Sequence, residues 1–277
     1  MDLVNGATPL AVYTIATAIV LVGVSVLLAI VRVPGVWVPI RTWLVMLPIA
    51  LGALWLGPPA WTVLVTVVSI LGFKEYARAT GLYRELPFVV VVYVTIIAAN
   101  LAALLQRYDF FMAIPMWGVL LLVIVPILRN RTEDMLQWFA LAVVGLLLFG
   151  FFVAHLSYLG QSPLGLGYVL FVVLATQFND AMGFIYGRLF GRHRWTAISP
   201  NKTVEGAVLA LITTIVLAFV HWPIAFPHLP AWGVVAAGVI VGLGGQVGDL
   251  TMANVKPTSG SRTSDTSCPV TAGSPTA

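Results

Sequence analysis

Charge is what this chain of 277 residues has least of: Asp, Glu, Lys and Arg together make up 9% of it, against 60% hydrophobic residues. Soluble domains carry roughly 25% charged and 45–50% apolar residues, so a water-solvated surface around one core is excluded. Cysteine is all but missing. Cys268 alone rules out an internal disulfide framework and a cysteine-based metal centre. The four histidines, His155, His193, His221 and His228, include no pair at metal-ligand spacing. His193, among Arg192 and Arg194, reads as a solvated loop residue within reach of a phosphate. No internal repeat is visible, which counts against the repeat-built transporter folds.

What the chain does have is apolar runs long enough to cross hydrocarbon, which takes roughly 17 to 25 helical residues. They fall at about residues 10–31, 42–56, 58–73, 87–105, 110–128, 136–156, 164–182, 204–222 and 231–248. The expected fold is all-α, a polytopic membrane protein with about eight or nine transmembrane helices. The second and third runs are short and split by Gly57-Pro58-Pro59, a pattern that fits one hairpin dipping into the bilayer. Met1 to Leu10 lack the basic segment and cleavage site of a secretory signal, so the first run is expected to stay as a helix.

Basic residues are retained on the cytoplasmic side of membranes, and their distribution here is lopsided. Arg32, Arg41, Lys74, Arg78, Arg84, Arg129, Arg131, Arg188, Arg192, Arg194, Lys202 and Lys256 fall in alternate loops, whereas the opposite side holds Arg107. The N-terminus is therefore expected outside, with the multi-pass chain in the cell membrane. This topology accounts for the net charge of +4, and nucleic acid is not an expected partner. The same charges would attract anionic membrane lipids.

Polar groups among membrane-length apolar runs are costly, so each needs a reason. Residues 1–160 read as a scaffold, with Glu75 beside Lys74 and Arg78 as an interfacial ion pair. Residues 161–256 hold the chemistry. Asp180 is placed at the cytoplasmic end of the seventh run, and Gly183, Gly187 and Gly191 follow at every fourth position, a small-residue stripe that suits close helix packing. Arg188 to Lys202 form a basic loop ending in Ser199-Pro200-Asn201-Lys202-Thr203. Thr203 or Ser199 can cap the next helix, with the acid Glu205 in its first turn. A helix start with free N–H groups, a lysine and hydroxyls also suits phosphate. Asp249 ends the ninth run in a glycine-rich approach. If Asp180 and Asp249 meet, two hard carboxylates could share Mg²⁺ with substrate phosphates.

Together, Asp180-x-x-Gly183-Phe184-x-x-Gly187-Arg188-x-Phe190-Gly191, Ser199-Pro-Asn-Lys-Thr-Val-Glu-Gly206 and Gly248-Asp249-Leu250 with Lys256 resemble the phosphatidate cytidylyltransferase (CDP-diacylglycerol synthase) family. The likeness covers roughly residues 170 to 256. Asn254, Met252 and Phe184 stand where that family usually has Ser, Glu and Tyr, which implies a divergent branch. The resemblance implies transfer of CMP from CTP to phosphatidate, giving CDP-diacylglycerol and pyrophosphate. It implies Asp249 and Asp180 as Mg²⁺ ligands and Lys202 and Ser199 as phosphate contacts, with Asp249 also counted as catalytic. Arg188, Asn201, Thr203, Glu205 and Lys256 are further substrate-binding candidates, Glu205 alternatively orienting Lys202 or capping its helix. A homodimer is compatible with this reading.

After Lys256 the family continues R-D-x-G-x-K-D and P-G-H-G-G-x-x-D-R, whereas here Pro257 to Ala277 follow. Codons compatible with this tail, read in a shifted frame, can spell D-I-G-I-K-D and then L-P-G-H-G-G-x-x-D-R. Residues 257–277 are therefore read as an aberrant tail, the product of one lost base, and the 277-residue form is expected to be nearly inactive. A disordered low-complexity tail is the plain alternative. Two other functions fit the composition: a CTP-dependent polyprenol kinase, which would release CDP, and a transporter, which would move substrate without nucleotide turnover.

Overall fold

The computed structural model describes residues 11, 37–130, 135–196, 199 and 202–255. The expected first span, the candidates Asn201 and Lys256, and the tail from Pro257 lie outside the described residues. The elements run α1 (Trp37–Trp55), α2 (Pro58–Ala79), a 3₁₀ turn (Leu82–Arg84), α3 (Leu86–Leu104), α4 (Tyr108–Arg129), α5 (Met135–Gly160), α6 (Gly165–Phe190), α7 (Val204–Ala225) and α8 (Ala231–Val255). Seven of these, α2 to α8, are long and apolar enough to cross a membrane, and α1 adds the shorter apolar stretch Val45–Trp55. The all-α, polytopic expectation holds.

Local chemistry explains where the helices start and stop. Gly57 turns the chain at φ 99°, and the prolines that follow occupy the first turn of α2, where a missing N–H costs nothing. From there α2 continues to Ala79, 22 residues in all, so it is long enough to cross rather than dip. Its last two turns carry Lys74, Glu75 and Arg78, which hydropathy counting leaves out. Pro115 and Pro126 sit inside α4, as membrane helices tolerate when neighbours satisfy the freed carbonyls. In α5 a π-helical turn, Leu146–Phe152, interrupts the α-helix.

The scaffold, α2 to α5, is packed by rings. Phe73, Tyr76, Phe88, Ile96, Leu122 and Leu146 form its centre, all but fully buried. Gly145 receives the Phe73 ring and Gly72 the Phe149 ring: a Cβ would come within 2.7 and 2.6 Å of them. Polar cross-links are few and specific: the Trp61 indole N–H donates to Leu156 O at 2.8 Å, and Ser157 Oγ donates to Asn100 Oδ1 at 2.5 Å. Glu75 and Arg78 form the expected ion pair, at 3.4 Å and largely exposed.

The second bundle, α6 to α8, is packed differently. A Cβ on Gly206 of α7 would lie 2.8 Å from both Gly183 O and Gly187 N of α6, so the two backbones touch. Gly238 of α8 stands against Ile215 Cα, and Gly242 against Leu211. The small-residue stripe of α6 is thus a packing surface, as its spacing suggests.

Candidate functional site

Three segments deliver the polar side chains. α6 does not end near residue 182; it runs on to Phe190, because nothing between Asp180 and Gly191 breaks a helix and the glycines pack it against α7. Asp180 is therefore ten residues inside α6, about 15 Å from its end at 1.5 Å per residue. The helix thus outlasts the apolar run, whose expected end near 182 still falls just after Asp180. Its neighbour Asn179, 1% exposed, donates from Nδ2 to Thr214 Oγ1 at 2.8 Å. Thr214 lies ten residues into α7, again roughly 15 Å deep.

After Gly191 the chain reverses through a short hairpin. Arg194 bridges Thr203 in antiparallel fashion, Trp195 N–H donates to Lys202 O at 2.9 Å, and Val204 N–H donates to His193 O at 3.0 Å. Ser199 shapes the turn by accepting the Lys202 N–H at 3.0 Å, while its own N–H donates to Thr196 Oγ1 at 3.4 Å. Thr203 caps α7, its hydroxyl accepting the Gly206 N–H at 3.2 Å, and the same side chain closes over Gly191 and Gly187.

Lys202 Nζ meets Asp249 Oδ2 at 2.5 Å, with the lysine side chain 25% and the aspartate 54% exposed. Thr176 Cγ2 of α6 lies 3.3 Å from where a Cβ on Gly245 of α8 would stand, and Asp180 and Asp249 each follow four residues on. Asp249 belongs to α8, whose Gln246, one turn earlier, is buried and donates to Ala207 O of α7 at 2.9 Å. That bond sets α8 against α7. Among the described residues nothing lies within 4 Å of where a Cβ on Gly244 or Gly248 of α8 would stand.

The remaining candidates sit apart from this pair. Arg188 is exposed on the last turn of α6. Glu205 faces the loop, where its carboxylate takes the Arg192 and His193 N–H groups and the His193 ring. Those residues, with Leu189, Phe190 and Gly191, line an open cleft of about 490 Å³. His193 is thus partnered through Glu205, which its position among arginines did not suggest. Sequence reasoning also passed over Gln246 and Thr214; their signal was a polar residue inside an apolar run.

Among the described residues no group of three or more His, Cys, Asp or Glu could hold a metal. Two carboxylates completed by phosphate oxygens nevertheless suit Mg²⁺, which commonly takes one or two carboxylates plus substrate. The ammonium of Lys202 on Asp249 shows that this carboxylate accepts a cationic partner.

Comparison with known proteins finds relatives over parts of the chain. A phosphatidate cytidylyltransferase of Staphylococcus saprophyticus is 38% identical over 93 residues, 33% of this chain and 36% of that protein. One from Chlamydia muridarum is 34% identical over 99 residues, 34% of this chain and 32% of its own. Each match thus spans about a third of the relative's length. An uncharacterized Escherichia coli protein, YnbB, is 26% identical over 208 residues, covering 72% of this chain and 68% of that one. No solved structure matches. The cytidylyltransferase family matches residues 37–268, and the chain belongs to that family.

Proposed function

We propose that the protein transfers CMP from CTP to phosphatidate, releasing pyrophosphate and leaving CDP-diacylglycerol in the membrane. The observation that carries this reading is the Lys202–Asp249 pair near one end of a membrane bundle, with Asp180 one turn past the contact of α6 with α8. A soluble nucleotide and a bilayer lipid can meet only at such a boundary. The lopsided basic loops put that end in the cytoplasm, with the chain in the cell membrane.

In this reading the lipid phosphate oxygen attacks the α-phosphorus of CTP, and the bond to the β-phosphate oxygen breaks as pyrophosphate leaves. Lys202 turns from Asp249 to a nucleotide phosphate, and Arg188 and Ser199 supply further contacts. Asp249 and Asp180 would hold Mg²⁺, which would neutralise charge on the phosphate oxygens. The chain's own work is positioning and charge balance. The open backbone at Gly244 and Gly248 lets the lipid headgroup lie against α8.

The test is product analysis in phosphatidate vesicles given CTP and Mg²⁺, with the 277-residue chain and with one whose reading frame after Lys256 is restored by one base. CDP-diacylglycerol and pyrophosphate in equal amounts are expected from the restored chain. Release of CDP instead would make it a lipid kinase and overturn the reading. Resequencing the coding DNA beyond Lys256 tests the tail independently.

A further inference from the structure

Glu205 stands in the first turn of α7, yet its carboxylate points back across the hairpin. Oε2 accepts two successive backbone N–H groups, Arg192 at 3.1 Å and His193 at 3.2 Å, and Oε1 meets His193 Nδ1 at 2.6 Å. These are the first N–H groups after the turn that ends α6 at Gly191. Charge-assisted bonds of this kind are roughly twice as strong as neutral ones. One side chain thus ties the exit of α6 to the start of α7.

The tie continues along the hairpin. From His193, the backbone pairs Val204 with His193 and Lys202 with Trp195, and Thr203 bridges Arg194. Each link depends on the one before it, and the last fixes the backbone of Lys202. The Lys202 side chain then reaches Asp249 on a third helix at 2.5 Å. Three of the carboxylate's acceptor positions are used by the loop, which leaves Glu205 little capacity for a substrate.

We infer that Glu205 is a positioning residue: by holding the Arg192–His193 turn it sets Lys202 opposite Asp249, and it acts on nucleotide transfer through Lys202. This rests on the proposed reaction only for its catalytic consequence. The geometric claim stands apart, and it has its own readout.

A water-soluble carbodiimide activates a carboxylate, and an amine within bonding distance displaces the urea to form an amide. Applied to the full-length protein in membranes, it should join Lys202 to Asp249, detected as a linked peptide by mass spectrometry and absent in Asp249→Asn. Glu205→Ala should cut that yield at least tenfold. Glu205→Gln keeps an oxygen that accepts the two N–H groups and should retain more than half. Equal yields in all three proteins would overturn the inference, as would a loss in Gln as deep as in Ala. In turnover, Glu205→Ala should add nothing to Lys202→Ala, because residues acting as one unit are not additive; additive losses would mean that Glu205 touches substrate directly. Failure of CMP transfer in the chain with its frame restored after Lys256 and no other change, with the linkage intact, would strike the proposed reaction and leave the positioning role standing.

Discussion

The two halves of the bundle solve helix packing by opposite means. In α2–α5, glycines make room for rings: Gly145 takes Phe73 and Gly72 takes Phe149. In α6–α8, glycines let backbone meet backbone, Gly206 against Gly183 and Gly187. Both halves carry inter-helix side-chain bonds, Trp61–Leu156 and Ser157–Asn100 in the first, Asn179–Thr214 and Gln246–Ala207 in the second; in the second, contacting backbones add to them in fixing axial register. Register is what the polar cluster needs, because Asp180, Lys202 and Asp249 come from three separate segments. The scaffold supplies bulk; the glycine bundle supplies alignment.

The comparison breaks most sharply at Asp249. In the chain with its frame restored after Lys256, Asp249→Asn keeps the shape and removes the charge that Lys202 faces, so CMP transfer should fall about 100- to 1000-fold, the usual loss when one electrostatic partner of a transition state is removed. Detergent melting should barely move, since a half-exposed ion pair is worth at most about 1 kcal/mol. Retained turnover would take Asp249 out of the site.

A matched pair tests the halves against each other. Phe73 is fully buried, and Phe73→Ala should destabilise by about 3–5 kcal/mol. Transfer per folded molecule should stay within twofold. Gly206→Ala adds one methyl against backbone that cannot move aside, an overpacking cost of about 1–3 kcal/mol. It should also lower kcat, because α7 carries Lys202 at its start. A scaffold change that lowers kcat more than the glycine change would reverse the contrast. Denaturant titrations read beside single-turnover rates measure both.

How much of this could be read from residues alone follows the same division. The membrane-length helices α3 to α8 were legible because hydropathy is a sum over neighbours in the chain, whereas α2 was expected as a short run that could only dip. The packing role of Gly183 and Gly187 was legible from a four-residue spacing. Helix ends were not: α6 was expected to stop near 182, since polar residues lower a hydropathy average without breaking a helix. Nor was the partner of Glu205. Its place in the first turn suggested capping or Lys202, but the carboxylate binds a loop twelve residues back, a tertiary contact that no local pattern encodes. That Asp180 could meet Asp249 was a conditional expectation; the structure brings their helices together one turn earlier, where Thr176 packs on Gly245.

The smallest expected effect probes the polar bonds of the glycine bundle. Asn179 uses its amide N–H on Thr214, but its Oδ1 is buried without a partner among the described residues. Removing one member of a buried pair leaves the other unsatisfied, at about 1–3 kcal/mol, while removing both can be nearly neutral. Thr214→Val should therefore cost about 1–2 kcal/mol, by orphaning the amide and leaving the acceptor bare. Asn179→Leu removes the donor and the unpaired acceptor together and leaves Thr214 bonded to Ala210 O at 2.8 Å, so it should cost less than Thr214→Val. Unfolding in mixed micelles should rank the proteins Asn179→Leu above Thr214→Val, with the double variant recovering most of the loss. If Asn179→Leu proves the more damaging, its bare oxygen is satisfied in the membrane, and the alignment of α6 with α7 rests on more than one bond.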